Sequence, residues 1–342
     1  MTPDGVVTTI GGTPKLADGV DGVGSRALFS APSGVAISSD GILYVADEGN
    51  NRISKGVLWA PPAASAGAAD GSANGVTTAT KEAPFVNTLG MKFVPVPIIG
   101  GPTGGQRVLF SIWDTRVQDY ERFAKETGDR WLQNRARGNP QGPTHPVVNV
   151  SLGQAQLFCQ WLSEHEHAAG RIPAGWSYRL PTDHEWSCAA GIGAKEDAAA
   201  SPAYKSNRID GYPWGSEWPP PAGAGNYLSE EARPAVEAGK YWWLHAEDII
   251  AGYHDGFAEM SPVGSFPANS FGLFDLGGNV RQICADWYDK DKKEVVVRGC
   301  QWDNGDPEHT KLSARMGAIW DHGGKAIGFR CILAPVSPKP AP

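Results

Sequence analysis

Apolar positions recur at helical spacing in three stretches of the chain. Between Val117 and Thr127, the residues Val117, Tyr120, Phe123 and Ala124 fall on one face, and Gly128 follows as a stop. From Ser151 onward, Leu152, Ala155, Phe158, Trp161 and Leu162 keep the same period, while Ser151 and Gln154 have the spacing of a capping box. Thr182 and Glu185 form a second capping box, which turns Trp186, Ala189 and Ala190 inward until Gly191 ends the helix. Beyond it the helical period is lost, and short apolar runs alternate with Gly, Pro, Asn and Asp.

The first part of the chain follows a different pattern. Val35-Ala36-Ile37 and Ile42-Leu43-Tyr44-Val45-Ala46 flank Ser38-Ser39-Asp40-Gly41, which reads as a β-hairpin. Residues 57–84 are poor in large apolar groups and read as a flexible linker. The segment from Phe85 holds 12 of the 13 Trp. Helices early and irregular β later predict an α+β domain whose loops are ordered by something other than a ladder of hydrogen bonds.

Composition sharpens this reading. Gly (43) and Pro (27) exceed ordinary usage of about 12%, which favours turns and excludes a helical bundle or coiled coil. A length of 342 residues suggests about two domains. The net charge of −7 and the lack of basic runs argue against nucleic-acid binding. No stretch approaches the ~20 apolar residues of a membrane span, and no signal-peptide pattern follows Met1, so a cytoplasmic protein is expected. Cys159, Cys188, Cys284, Cys300 and Cys331 contain no CxxC, which disfavours zinc and implies no dependence on disulfides. The eight His residues show no metal-ligand spacing. There is no nucleophile elbow and no phosphate-binding Gly loop.

The run from Phe29 through Tyr44-Val45-Ala46-Asp47 and Gly49-Asn50-Asn51-Arg52-Ile53 resembles an NHL repeat, one blade of a β-propeller. Thr2 to Gly12 looks like the end of a preceding blade. Propellers carry about four to eight blades, so residues 1–56 are an incomplete repeat.

The second part resembles the sulfatase-modifying-factor, or formylglycine-generating, domain. The resemblance is carried by Phe85 to Val94, His145-Pro146-Val147-Val148-Asn149-Val150-Ser151, Tyr178-Arg179-Leu180-Pro181-Thr182 through Trp186, Tyr212-Pro213-Trp214-Gly215, Asn269 to Val280, and Gly328-Phe329-Arg330. It covers residues 85–333, followed by a Pro-rich tail at 334–342. It implies an α+β, C-type-lectin-like fold with little regular secondary structure.

In formylglycine-generating enzymes, two cysteines after an Arg-Gly-Gly-Ser element bind copper, because soft thiolates suit Cu(I). Here that element is Arg298-Gly299-Cys300-Gln301, and the two positions fall on Asn304 and His309. Neither is a thiolate, so no copper is expected. The iron-dependent relatives hold their metal with a helical bundle that this chain lacks, so no iron is expected either.

The resemblance does imply structural calcium. One site would use the side chains of Asn226 and Asp255 and the carbonyls of Tyr227 and Phe257; a second would use Asp275, Gln282 and the carbonyls of Gly278 and Val280. The second has Gln282 where the family has a glutamate, and Arg281 brings a cation close. Trp302, Asn304, Asp306, His309 and Trp320 then mix aromatic, amide, acidic and imidazole groups as a recognition surface does. The expected function is a non-catalytic module binding a peptide, protein or glycan. The alternative is an oxygen-dependent metalloenzyme with a divergent site that includes His309.

Overall fold

A computed structural model describes residues 29–39, 42–56, 74–129, 131, 142–321 and 323–336. The Asp40-Gly41 turn, the stretch before Phe29, most of the linker and the end of the tail lie outside the described residues. The chain forms two compact units: Met1–Ala69 with Glu121–Gly138, and Asp70–Tyr120 with Asn139–Pro342.

In the smaller unit, β1 (Pro32–Ile37), β2 (Leu43–Asp47) and β3 (Arg52–Gly56) make an antiparallel sheet in sequence order. The expected hairpin pairs Val35 with Val45 and Ile37 with Leu43. Asp47 is fully buried and ties the following turn together. Its carboxylate accepts from the Ser30 amide at 2.6 Å, Asn50 Nδ2 at 2.8 Å and Arg52 Nε at 2.9 Å. Gly49 approaches so closely that a Cβ there would lie 2.4 Å from Ser30 Oγ.

The larger unit holds two sheets. The first has β4 (Phe85–Val86), β5 (Lys92–Pro97), β6 (Arg107–Ser111), β7 (Trp176–Arg179) and β12 (Ile332–Pro335) in the order β4-β5-β6-β12-β7. The second has β8 (Arg281–Trp287), β9 (Glu294–Arg298), β10 (Arg315–Ile319) and β11 (Ile327–Gly328) in the order β10-β9-β8-β11. Seven helices lie within the described residues: α1 (Asn74–Thr78), α2 (Val117–Thr127), α3 (Leu152–Ala168), α4 (Asp183–Ala189), α5 (Pro202–Lys205), α6 (Arg233–Glu237) and α7 (Pro307–Thr310). Both capping boxes form, Ser151 with Gln154 and Thr182 with Glu185. Val94, Val96, Phe110, Trp186, Cys284, Val296 and Ile332 meet in one core.

Two boundaries move. The end of the expected linker is structured: Val76 and Ala79 are buried, and Arg107 caps α1 by donating to their carbonyls at 3.2 and 2.6 Å. The domain also runs past 333, because β12 lies between β6 and β7 and continues through Ala334, which is buried, to Pro335. An interior strand has both faces covered, so its apolar run does not alternate and reads as tail.

Between α4 and β8, side chains order the loops. Asn269 Oδ1 accepts from the amides of Phe271 and Leu273, and its Nδ2 donates to Ala189 O. Asn279 exchanges two hydrogen bonds of 3.0 Å with the Ser261 backbone. All five cysteines are free and buried. Among the described residues, no helix is long and apolar enough to cross a membrane.

Candidate functional site

The site begins where β9 ends. Arg298 is fully buried and donates from Nη1 to Asp183 Oδ1 at 2.6 Å, which fixes the strand end against α4. Gly299 has φ +75°, and a Cβ there would meet Leu276 O at 2.7 Å, so the turn requires glycine. The chain is then pinned outward by Cys300 N to Gly277 O, Trp302 N to Asn279 O, and Leu228 N to Asn304 O. Asp306 caps α7 by accepting from Glu308 N at 2.8 Å.

These constraints bring Asn304 and His309 side by side. Asn304 Nδ2 lies 3.4 Å from His309 Nδ1. Asp306 Oδ2 is 3.5 Å from the same Nδ1. Asn304 Oδ1 accepts from Asp306 N at 3.0 Å and from the Cys300 thiol at 3.6 Å, and that thiol is 3.5 Å from Thr310 Oγ1. Burial is the main cause that pushes the Cys300 thiol up, so it stays protonated at neutral pH. The cluster offers amide, imidazole and carboxylate groups at a surface and keeps its sulfur inside.

Of the two tryptophans expected beside it, Trp302 turns inward. Trp302 is 5% exposed and packs edge-on against Tyr241 at 5.4 Å, within a core that includes Leu228 and Val280. It supports the loop and presents no ring to solvent. Trp320 is half-buried, and its carbonyl accepts from Leu152 N at 3.0 Å. The surface instead gains residues that sequence reasoning missed. Asp303 accepts from Trp243 Nε1 at 3.0 Å, and Lys325 Nζ stands 4.4 Å from the centre of the Trp243 ring. Trp242 meets that ring edge-on and is 83% exposed. The signal available was the run Lys240-Tyr241-Trp242-Trp243, which no helical stripe accounts for.

In the first calcium set one oxygen is open to a hard cation, while Phe257 O already accepts from Ser229 Oγ at 3.3 Å. Asn226 is 1% exposed; its Nδ2 donates to Glu259 O at 2.8 Å, while its Oδ1 is buried with no hydrogen-bond partner. Asp255 Oδ2 accepts from Tyr227 N at 3.0 Å, and Oδ1 accepts from Ser229 Oγ at 3.0 Å and Phe257 N at 2.9 Å. Three donors leave room on a carboxylate for one more interaction. Burial outweighs those donors and raises the Asp255 carboxyl. An orphaned oxygen and a partly desolvated carboxylate together match calcium's preference for oxygen ligands.

The second set does not fit. Gln282 Oε1 accepts from both Trp186 Nε1 and Arg330 Nε at 2.8 Å, so a cation already faces it. Its Nε2 donates to Asp275 O at 3.0 Å, and Gly278 O accepts from Val280 N at 2.9 Å. Asp275 Oδ2 accepts from Gly264 N at 2.7 Å, and burial pushes this carboxyl up to about 6. Arg281 points elsewhere, donating to Gly299 O at 2.8 Å. Asn226, Tyr227, Asp275 and Gly278 also line a cavity of about 290 Å³ with Trp214 and Phe266.

The sequence matches two family models, the sulfatase-modifying factor enzyme 1-like domain over residues 108–335 and the NHL repeat over 29–55. The inactive C-alpha-formylglycine-generating enzyme 2 of Mus musculus is 30% identical over 200 residues, covering 57% of this chain and 51% of its own length. The formylglycine-generating enzyme of Thermomonospora curvata is 30% identical over 214 residues, covering 57% of each. The chain thus spans about half the length of the curated relatives it matches. Among solved structures, PvdO from Pseudomonas aeruginosa superposes with a TM-score of 0.45 at 20% identity, over 74% of this chain and 98% of that one. The first of these matches takes in most of the chain and every residue of the site, and the chain belongs to the sulfatase-modifying factor enzyme 1-like domain family.

Proposed function

We propose that this chain is a non-catalytic, lectin-like member of its family that binds a peptide, protein or glycan at the surface around Asn304, Asp306 and His309. The observation that carries the reading is the contact between Asn304 Nδ2 and His309 Nδ1 at 3.4 Å. In the arrangement implied by the family resemblance those two positions bear copper-binding thiolates. Here they bear an amide and an imidazole, which recognise hydrogen-bonding ligands and lack the softness Cu(I) requires. The similarity to an enzyme named as inactive supports the same reading.

Calcium at Asn226 and Asp255, with the carbonyls of Tyr227 and Phe257, would hold the irregular loops that carry this surface. Its chemistry is structural: a divalent charge that gathers oxygens where no sheet ladder runs. Leu228, one residue beyond this set, donates its amide to Asn304 O at 3.2 Å, so the loop of the cation set is tied to the loop of the ligand surface. Five free thiols suit a reducing compartment, which supports a cytoplasmic setting.

The test is binding of the labelled full chain to peptide and glycan arrays, with hits measured by calorimetry. Asn304→Ala and His309→Ala should each weaken a hit about tenfold or more, with the near-ultraviolet dichroism unchanged. Binding that both variants leave intact refutes the assignment of the site.

A further inference from the structure

The cavity of about 290 Å³ has walls that are apolar and largely aromatic, with Pro213, Trp214, Tyr227, Phe266 and Leu276 among its lining. The rings hold one another in place. Trp214 stacks on Tyr212 at 5.0 Å with an 8° angle between the planes, and it meets Tyr227, itself 1% exposed, edge-on at 5.4 Å. Asp275 brings a carboxylate to this lining and is half-buried there. Its Oδ2 accepts from Gly264 N at 2.7 Å, and among the described residues its Oδ1 has no hydrogen-bond partner. Arg330, the cation whose charge reaches Asp275, does not fill that gap. Its donors go to Gln282 Oε1, Ser111 O and Phe274 O, and its ion pair, at 3.5 Å, is with Asp114. The Asn269 amide of the same wall is spent as well, on Ala189 O and on the amides of Phe271 and Leu273.

We propose that this cavity binds a primary alkylammonium group, its charge on Asp275 Oδ1 and its alkyl stem against Trp214 and Phe266. An open carboxylate oxygen beside aromatic walls calls for a cation on an apolar stem, because ring faces attract the charge and the walls cover the methylenes. One open oxygen also selects among cations. A guanidinium fork pairs with both oxygens of a carboxylate, whereas an ammonium is a point charge that needs one. The volume lies just under the ~300–1,000 Å³ of small-molecule sites, which limits the ligand to about the size of a side chain. The net charge of −7 favours the approach of a cation. A free alkylamine and the lysine side chain of a partner peptide offer this same chemistry. The site is independent of the surface at Asn304 and His309, so it stands or falls separately.

Calorimetry on the full chain tests this with n-butylammonium, n-butanol, n-butylguanidinium and the peptide acetyl-Gly-Lys-Gly-amide. Titrations are run in saturating calcium and again in chelator, because Asn226 and Tyr227 border both the cavity and the first calcium set. The ammonium should bind in both, and the alcohol and the guanidinium should each bind about tenfold more weakly or worse. Asp275→Asn should weaken the ammonium by about tenfold or more. The fold should survive that change, since Asn tolerates the φ of +56° at this position and its side-chain oxygen can still accept from Gly264 N. Ala222→Trp, at an exposed position of the lining, fills the space and should weaken binding without touching the carboxylate. Binding of the peptide as well as the amine makes a partner's lysine the source, binding of the amine alone makes it a small molecule, and either result supports the site. Binding of neither overturns the proposal. So does equal binding of the alcohol or the guanidinium, displacement of the amine by calcium, or binding that Asp275→Asn leaves intact.

Discussion

Asp183 opens α4 at a point where three cations converge, which makes it the most consequential single charge in the larger unit. Its carboxylate meets Arg298 Nη1 at 2.6 Å, Arg315 Nε at 2.8 Å and Lys205 Nζ at 2.6 Å, with both arginine side chains 0% exposed and Lys205 6%. Asp183→Ala leaves Arg298 with only neutral acceptors in its direct contacts, and Arg315 with Glu196 at 2.6 Å. Stranding a buried charge costs about 3–5 kcal/mol. At about 2–4 °C per kcal/mol for a domain of this size, the melting temperature should fall by roughly 6–20 °C. The pH dependence follows from the same geometry. Burial by itself raises the Asp183 carboxyl, but Arg298, Arg315 and Lys205 outweigh it and hold it well below the ordinary value of 3.8. A depressed carboxyl contributes stability that is fully present above the unfolded value and lost as pH falls through the folded one. Urea melts followed by tryptophan fluorescence should show a constant gap between wild type and variant from neutral pH to about pH 4, closing below it. A loss under about 1 kcal/mol at neutral pH, or a gap that stays open in strong acid, refutes the reasoning.

Three further outcomes are expected. Calcium at about 100 times its dissociation constant should stabilise the protein by ~2.7 kcal/mol over chelator, a rise of about 5–11 °C. Asp255→Ala should abolish that difference, and an equal melting temperature with and without chelator in wild type counts against the site. Gln282→Ala should leave the calcium stoichiometry at one, because its amide oxygen is already held by Trp186 and Arg330; a second bound calcium in wild type contradicts this. Asp114 is fully buried with no hydrogen bond to either oxygen, and burial pushes its carboxyl up to about 8 against Arg330 at 3.5 Å. A raised carboxyl favours the folded state below the unfolded value of 3.8 and loses that advantage as pH rises through about 8. Wild type should therefore lose stability across that window, and Asp114→Asn should remove the slope in chemical melts.

Local rules were legible in the sequence, and long-range placement was not. Ser151 with Gln154 and Thr182 with Glu185 set helix starts through contacts three residues apart, which spacing alone can reveal. The hairpin of β1 and β2 has the same local origin. The docking of Val76 and Ala79 depends on Arg107, nearly thirty positions away, so a stretch that composition marks as linker is held in place. Ala334 carries no strand signal of its own and is fixed by its pairing with Ser177 of β7. At the site, the family resemblance pointed to Asn304 and His309, and α7 carries His309 back to within 3.4 Å of the Asn304 amide. Trp302 has the same composition as a surface anchor; only its packing on Tyr241 separates the two. Gln282 likewise reads as an oxygen donor until Arg330, from the far end of the chain, is seen to occupy it.

Metal content after loading tests the central claim most directly. The purified full chain is equilibrated with Cu(I) or Fe(II), stripped of loosely bound ions and quantified beside His309→Ala and the double variant Asn304→Cys/His309→Cys. A binding module predicts no stoichiometric copper or iron in wild type or in His309→Ala, and uptake of Cu(I) once both thiols are restored. One equivalent of copper or iron in wild type, lost with His309→Ala, contradicts the account and makes the site a metalloenzyme's.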